Sequence, residues 1–177
     1  KLIRSDDNIR VIIGNEYVDY DHVVLASHAD QSLRMLEEPT EQEKNILKKF
    51  NYVKNEAYLH TDEKLMPGKK RAWSSWNSIS DGEKTCITYW LNKLQNLETS
   101  KNYFLTLNPI SKIDKNSIIK EINFTHPYLN SENTALQRDL RLIQGKKRTW
   151  FCGSYFGYGF HEDGLKSSID LINNFKI

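Results

Sequence analysis

The sequence predicts an α+β fold with a mostly antiparallel sheet and flanking helices. Successive strand-like segments run from residue 51 to residue 109, with the hairpin dipeptide Asp81-Gly82 between two of them. A continuous apolar run, VVLA at residues 23–26, indicates a strand buried on both faces. The chain closes with a further strand, RTWFCGS at residues 148–154, followed by an amphipathic helix.

The first third of the chain alternates short strands and helices. A turn at Gly14-Asn15 separates two extended segments, and residues 29–36 have helical spacing. After Pro39, Thr40 and Glu43 form a capping box that opens the helix EQEKNILKKF. We therefore expect this helix to cover residues 41–50.

The middle and the end of the chain supply the sheet and two more helices. The predicted strands are NYVKNEAYLHTD, KRAWSSWNSI, KTCITYWLNKL, NYFLTLNP and EINFTHP. The segment SENTALQRDLRLIQ (131–144) predicts a helix that Gly145 ends. The last helix, about residues 162–175, repeats apolar residues at helical spacing: Leu165, Ile169, Ile172 and Phe175.

Composition narrows the class of protein. The 177 residues are 38% hydrophobic and 27% charged, and they contain no run of about 18 apolar residues that would predict a membrane span. Cys86 and Cys152 lack CxxC spacing, which predicts buried free thiols, no metal site and a cytoplasmic location. The start, KLIRSDDNIR, has no initiator methionine and no apolar signal region, so we expect an internal start within a longer protein.

Two basic clusters, GKKRAW (68–73) and GKKRTW (145–150), raise the alternative of nucleic-acid binding. Each cluster sits between a glycine turn and a strand-like segment, which predicts solvated loop ends. Neither has the spacing of a phosphate-binding P-loop. We therefore predict no nucleic-acid partner, and a nucleic-acid binder is kept as an alternative.

The segment WFCGSYFGYGFHEDG (150–164) carries the strongest functional signal. A strand that ends at Gly153, a loop with Gly157 and Gly159, and a helix that begins near His161 bring several backbone N–H groups together with the positive end of a helix dipole. Such a point attracts anions, including phosphate or the electron-rich edge of a reduced flavin. The competing interpretation is a tight turn without a ligand.

Six segments together resemble the C-terminal half of a bacterial family of FAD-dependent, amine-oxidase-like oxidoreductases, described as predicted NAD/FAD-binding proteins. These segments are DHVVLASHADQSLRML, HTDEKLMP, RAWSSWN, TYWLNKLQ, YFLTLNP and TWFCGSYFGYGFHEDGLKSS. The resemblance covers essentially the whole chain in order. Similar sequences also form the N-terminal region of plant cyclopropane fatty-acid synthases, which suggests a lipid-linked substrate.

The resemblance implies partial, Rossmann-like FAD-binding elements at both ends of the chain with a substrate domain between them. We expect residues 1–38 to supply FAD-domain strands and a helix, residues 39–128 the substrate-domain sheet and helix, and residues 129–177 a linking helix and the closing FAD strand, loop and helix. No GxGxxG motif occurs in the chain, so the main pyrophosphate site is expected in a missing N-terminal portion of the FAD domain.

The resemblance also assigns FAD as the cofactor of the longer protein and the closing motif as its contact. We expect this chain alone to bind little or no FAD stably. The implied cofactor-binding residues are Gly153, Ser154, Gly157, Gly159, His161, Glu162, Asp163, Gly164 and Leu165. Amine oxidases usually carry an acidic residue where this chain has Ser154, and a glycine where it has Ser168. Of these residues, Glu162 and Asp163 are better explained as stabilisers of the first helical turn than as a catalytic acid and base.

The sequence offers one candidate catalytic residue and two candidate substrate-pocket residues. His161 is the candidate proton donor or relay, because an imidazole titrates near neutrality, although a helix-capping histidine would look the same. Trp76 and Tyr89 are candidates for a substrate pocket; in strands, Trp73 and Trp76 would face opposite sides, as would Tyr89 and Trp90. The predicted function is hydride transfer from an unidentified substrate to flavin, with a non-catalytic flavin- or nucleotide-binding module as the alternative.

Overall fold

The computed structural model describes residues 1–128 and 135–175. Its strands are β1 (Leu2–Arg4), β2 (Ile9–Ile13), β3 (Glu16–Tyr20), β4 (Val23–Leu25), β5 (Tyr52–His60), β6 (Trp76–Ser80), β7 (Thr85–Trp90), β8 (Phe104–Leu107), β9 (Ile118–Pro127) and β10 (Thr149–Phe151). Its α-helices are α1 (Ala29–Met35), α2 (Glu41–Leu47), α3 (Leu91–Leu94) and α4 (His161–Asn174). Among the described residues no helix is long and apolar enough to cross a bilayer. The predicted mixture of helices with a mostly antiparallel sheet is confirmed.

The chain divides into two compact units. The first unit contains Lys1–Tyr52 and Pro127–Ile177, and the second contains Val53–His126. The predicted boundary between residues 38 and 39 therefore differs from the observed one, because α2 belongs to the first unit. The reason is packing, since Ile46, Leu47 and Phe50 are buried in the core that also contains Leu25 and Phe151.

The first unit has two small sheets. Strands β1, β2 and β3 form an antiparallel meander whose second turn contains Gly14 at φ 60°, a conformation that favours glycine. Strands β4 and β10 are parallel, with Val24 opposite Trp150. The prediction that residues 23–26 are buried on both faces is wrong for Val24, whose relative exposure is 45%.

The two edges of this parallel pair differ. On the outer side of β10, the Gln144 side chain accepts a hydrogen bond from the Phe151 N–H (3.0 Å) and donates one to the Phe151 carbonyl (2.9 Å). A side-chain amide thus satisfies the groups that a further strand would bind. Within the described residues, β4 pairs with β10 alone, so the β4 edge is the one open to a further strand.

A buried ion pair ties β1 to α2. The predicted capping box is present: the Glu43 N–H donates to Thr40 Oγ1, and Glu43 Oε2 accepts from the Thr40 N–H at 2.7 Å. The same carboxylate accepts two hydrogen bonds from the Arg4 guanidinium, at 2.6 and 2.8 Å. The Arg4 side chain is only 3% exposed and that of Glu43 is fully buried.

The closing helix α4 presents its apolar stripe to solvent. Leu165, Ile169 and Ile172 are 56%, 48% and 69% exposed, whereas Ser167 and Leu171 are buried. Helical spacing correctly predicted the helix. The side of the helix that packs against Trp150 and Cys152, however, is the side that carries Leu171. The stripe is therefore an apolar surface that the described residues leave uncovered.

The second unit is built on a five-stranded sheet in the order β6-β7-β8-β5-β9. The predicted turn at Asp81-Gly82 is confirmed: Asp81 Oδ1 accepts from the N–H groups of Glu83 and Lys84, and Gly82 has φ 100°. One face of the sheet is buried and polar in part. There His60 Nε2 lies 2.8 Å from Thr106 Oγ1, which lies 2.8 Å from Thr88 Oγ1.

Several segments depart from the predicted secondary structure. Residues 91–94, predicted as the end of a strand, form the short helix α3, and helix α2 ends at Leu47, before the predicted end at residue 50. Residues 70–72, predicted as strand, form a 3-10 turn, so β6 begins only at Trp76. The predicted helix 131–144 begins outside the described residues, and its part at Asp139–Ile143 is a 3-10 helix. The lysines of both basic clusters are exposed, as predicted for loop ends. Cys86 and Cys152 are both buried and form no disulfide.

Candidate functional site

The glycine loop after β10 is held in place by a buried aromatic ring. Gly153 has φ 145°, a value that L side chains rarely adopt, and a Cβ there would lie 3.0 Å from the Tyr155 ring. Tyr155 is 2% exposed and packs edge-on against Phe50, with ring centroids 5.3 Å apart. Only glycine therefore lets the chain turn out of the strand directly over this ring.

Most N–H groups of the loop are used internally. Gly153 N–H donates to Ser167 Oγ at 2.9 Å, and the N–H groups of Gly157 and Gly159 both donate to the Ser154 carbonyl at 3.1 Å. In contrast, the Ser154 and Tyr155 N–H groups have no acceptor among the described residues. They are the first two N–H groups of the 3-10 turn Ser154–Phe156. The first N–H groups of a helical turn have no acceptor within that turn.

The start of α4 adds two more free donors. His161 and Glu162 are the first two residues of the helix, and their N–H groups also lack an acceptor in the described part of the chain. Gly164, the fourth residue of this helix, lies close to the loop: a Cβ on it would be 3.7 Å from the Ser154 nitrogen. The two pairs of donors are thus contributed by segments in direct contact, at the positive end of a 14-residue helix.

Asp163 is committed to the loop itself. Its Oδ2 accepts hydrogen bonds from the N–H groups of Tyr158 (3.0 Å) and Phe160 (2.9 Å). The carboxylate fills the space beside Gly157, where a Cβ would overlap it. Asp163 therefore shapes the loop through its Oδ2 atom.

The remaining residues of the motif form an exposed rim. His161, Glu162 and Leu165 are exposed, and Glu162 lies 3.9 Å from Lys166 in a loose surface ion pair. Tyr158 and Phe160 are each 69% exposed. The site thus combines free backbone donors with exposed apolar rings, which suits a ligand with both an anionic and an aromatic part.

Two residues that the sequence did not single out hold this loop. Gln137 Nε2 donates to the carbonyls of Tyr155 (3.3 Å) and Gly157 (2.6 Å). Ser167 Oγ accepts from Gly153 and donates to the Gly164 carbonyl at 2.7 Å. No sequence pattern marks Gln137, because it reaches the loop from a segment about 20 residues upstream.

Trp76 and Tyr89 are brought together in the second unit. They are cross-strand partners in β6 and β7, and their rings meet edge-on with centroids 4.9 Å apart. Trp90 points to the other face, as alternation predicted for Tyr89 and Trp90, and packs edge-on against Trp73 at 5.3 Å. Trp73 is buried and Trp76 is 61% exposed. Of these two pairs, the Trp76–Tyr89 pair is therefore the one with an accessible aromatic surface.

The donors and glycines fit one side of a flavin dinucleotide. Free N–H groups would face a phosphate, a ribityl hydroxyl or the pyrimidine edge of the ring, and the glycines allow close approach. The dinucleotide glycine motif that would hold the rest of such a cofactor is absent from the sequence.

Comparison with known proteins gives structural neighbours. No family model and no curated protein sequence matches the chain. A CLA-producing fatty acid isomerase from P. acnes superposes with a TM-score of 0.69 at 14% identity, over 100% of this chain and 47% of that one. A protein provisionally described as a protoporphyrinogen oxidase, from Exiguobacterium sp. 255-15, superposes with a TM-score of 0.58 at 11% identity, over 97% of this chain and 44% of that one.

At these identities the likeness concerns the fold alone. The chain spans less than half the length of either neighbour, 47% and 44%. The chain therefore has a mixed helix and strand fold, with a mostly antiparallel sheet, that is like part of the fold of each neighbour.

Proposed function

We propose that this chain supplies the substrate domain and the closing FAD-binding strand, loop and helix of an amine-oxidase-like, FAD-dependent oxidoreductase. The observation that carries the proposal is the set of free N–H groups at Ser154, Tyr155, His161 and Glu162, collected where β10 meets α4. Asp163 satisfies the N–H groups of Tyr158 and Phe160, whereas these four donors stay available to solvent or to a ligand.

Two features of the first unit support a partner polypeptide that completes the FAD domain. Parallel sheets normally contain several strands and have helices on both faces. Among the described residues, however, β4 pairs with β10 alone. The apolar stripe Leu165, Ile169 and Ile172 is also left exposed. An open strand edge and an uncovered helix face in one unit are what the removal of neighbouring strands and helices would leave.

In the proposed reaction each group of this chain has a limited task. FAD, when bound, accepts a hydride equivalent from a substrate C–H bond. The free N–H groups would stabilise negative charge at the cofactor without reorganisation, because the backbone already holds them in place. His161, exposed at the helix start, would donate or relay a proton, and Trp76 with Tyr89 would contact an apolar or lipid-linked substrate.

Amide resonances test the proposal on the chain itself. The ¹⁵N-labelled 177-residue protein is titrated with FAD, riboflavin and inorganic pyrophosphate. We expect weak, fast-exchange binding of FAD that shifts the amides of Ser154, Tyr155, His161 and Glu162 first, with Gly82 in the hairpin turn of the second unit as the internal control. Riboflavin or pyrophosphate alone would then show which part of FAD lies at these donors.

The alternatives make different predictions in the same titration. A nucleic-acid binder would shift Lys70 and Lys146 with an oligonucleotide, with steep dependence on salt. A non-catalytic module would bind FAD but show no reduction of it by any amine or acyl substrate in the complete protein. FAD that leaves all four loop amides unmoved would refute the assignment.

A further inference from the structure

A second concave site lies in the first unit, on the side of α4 away from its first turn. It is a cavity of about 540 Å³ between the 3-10 helix Asp139–Ile143 and the later turns of α4. This volume falls within the range of small-molecule sites. Its floor is apolar and consists of Trp150, Phe151 and Leu171, all buried.

Three polar side chains that line the cavity beside this floor already make hydrogen bonds within the protein. Gln144 makes both of its amide hydrogen bonds to the Phe151 backbone. Ser167 Oγ accepts from Gly153 and donates to Gly164. Gln137 spends its amide nitrogen on two loop carbonyls. These groups therefore shape the cavity but have little hydrogen-bonding capacity left for a ligand.

Two guanidinium groups at the rim are uncommitted among the described residues. Arg138 and Arg141 both line the cavity and are exposed, and neither forms an ion pair with a described residue. They lie three positions apart, as on one side of a helical turn. Asp170 is the carboxylate among the described lining residues, so the rim has a surplus of one positive charge.

We propose that this cavity binds a small amphipathic monoanion, a carboxylate on an aromatic or acyl body. The apolar body would lie on Trp150, Phe151 and Leu171, and the carboxylate would be held by Arg138 and Arg141. A planar guanidinium is suited to a carboxylate because it offers paired N–H donors. A surplus of one charge matches a monoanion rather than a phosphate ester. The proposal rests on this cavity and does not depend on flavin binding.

Calorimetric titration with a matched pair of probes tests it. The probes are 2-naphthoate and its neutral isostere 2-naphthamide, titrated into the 177-residue protein at low salt. We expect naphthoate to bind saturably and naphthamide at least about tenfold more weakly, because a hydrogen bond to a charged group is the stronger kind. Arg138→Gln and Arg141→Gln should each weaken naphthoate about tenfold and leave naphthamide unchanged.

The control is Arg71→Gln, which removes one exposed positive charge from the second unit. It should leave both affinities as they are. Because Arg138 and Arg141 are exposed, their variants are expected to fold, and the lysine variants, which keep the charge, serve if they do not. Equal affinity for the two probes, equal loss in the Arg71 variant, or no saturable binding of naphthoate would each overturn the proposal.

Discussion

Gly157 and Asp163 are packed so closely that the carboxylate occupies the position of the missing Cβ. The same carboxylate accepts the N–H groups of Tyr158 and Phe160, so one side chain joins the end of the glycine loop to the first turn of α4. Two donors of the candidate site, at Ser154 and Tyr155, precede Gly157 in the chain, and the other two, at His161 and Glu162, directly precede Asp163. The joint therefore sets the spacing between the loop donors and the helix donors.

Gly157→Ala should disturb this joint. Gly157 has φ −137°, which any residue can adopt, so the cost is steric: the new methyl group must displace the Asp163 carboxylate. Overpacking of this kind costs about 1–3 kcal/mol in the free energy of unfolding, measured by urea denaturation. Gly68→Ala is the control, since nothing lies within 4 Å of a Cβ there. A double-mutant cycle with Asp163→Ala should recover much of the loss, and equal costs in both backgrounds would contradict the steric explanation.

Glu43→Gln should be one of the most destabilising conservative changes in the first unit. Burial alone would raise the pKa of Glu43, but hydrogen bonds from Arg4 and Thr40 outweigh it and hold the pKa below its usual value. The variant leaves the Arg4 guanidinium, 3% exposed, without its counter-charge. The loss should be about 3–5 kcal/mol in the free energy of unfolding. Glu41→Gln, at an exposed surface pair with Lys44, should have no measurable effect.

The Glu43 pair also predicts a pH dependence. A carboxylate whose pKa is lower in the folded state contributes stability above its unfolded pKa and loses it as pH falls through the folded pKa. The difference in unfolding free energy between wild type and Glu43→Gln should therefore be full at pH 7 and shrink below about pH 4.5. A difference that stays constant down to pH 3 would show that the charge of Glu43 is not what matters.

Trp73 and Trp76 are three residues apart but should respond very differently to truncation. Trp73 is buried and its Nε1–H donates to the Pro67 carbonyl at 2.7 Å, so Trp73→Ala should cost about 3–5 kcal/mol. Trp76 is 61% exposed and keeps only its edge contact with Tyr89, worth about 1 kcal/mol. Thermal denaturation of both variants measures this, and a similar loss in both would mean that Trp76 is core and not available to a substrate.

The fold was largely predictable from local patterns, because these elements carry their own signals. The Thr40–Glu43 capping box, the Asp81-Gly82 turn and the Gly153 strand end each depend on residues close in sequence. The side of α4 that packs inward was not predictable in this way. Its inner side uses Ser167 and Leu171 because Ser167 binds the Gly153 N–H, and that contact spans 14 positions.

The strand end, loop and helix that form the candidate site were predictable from the sequence as elements, but the contacts of their individual residues were not. The sequence grouped Asp163 with the cofactor contacts, and in the structure its carboxylate is occupied by two loop N–H groups. The position of the free donors at Ser154 and Tyr155 depends on Gln137 and Phe50, which contact the loop from segments far away in the sequence. Such contacts leave no periodicity or spacing in the sequence.

Gly164→Ala should separate stability from ligand binding at the candidate site. Gly164 is the fourth residue of α4, so alanine should stabilise the helix by about 0.5–1 kcal/mol through its higher helix propensity. A Cβ there would lie 3.7 Å from the Ser154 nitrogen, an ordinary contact that does not strain the fold but adds a methyl group beside a free donor. A cofactor that approaches the Ser154 N–H would meet that methyl group. We therefore expect higher stability in urea together with smaller FAD-induced shifts of the Ser154 and Tyr155 amides.

The matched control for this change is Asn173→Ala, an exposed position in the last turns of the same helix. It should raise helix stability in the same direction and leave the FAD-induced shifts unchanged. If Gly164→Ala is more stable and still shows the full amide shifts, the ligand does not approach the junction between the loop and α4. The flavin edge would then have to be placed elsewhere on the first unit, since a group bound at Ser154 cannot avoid a methyl group in contact with that nitrogen.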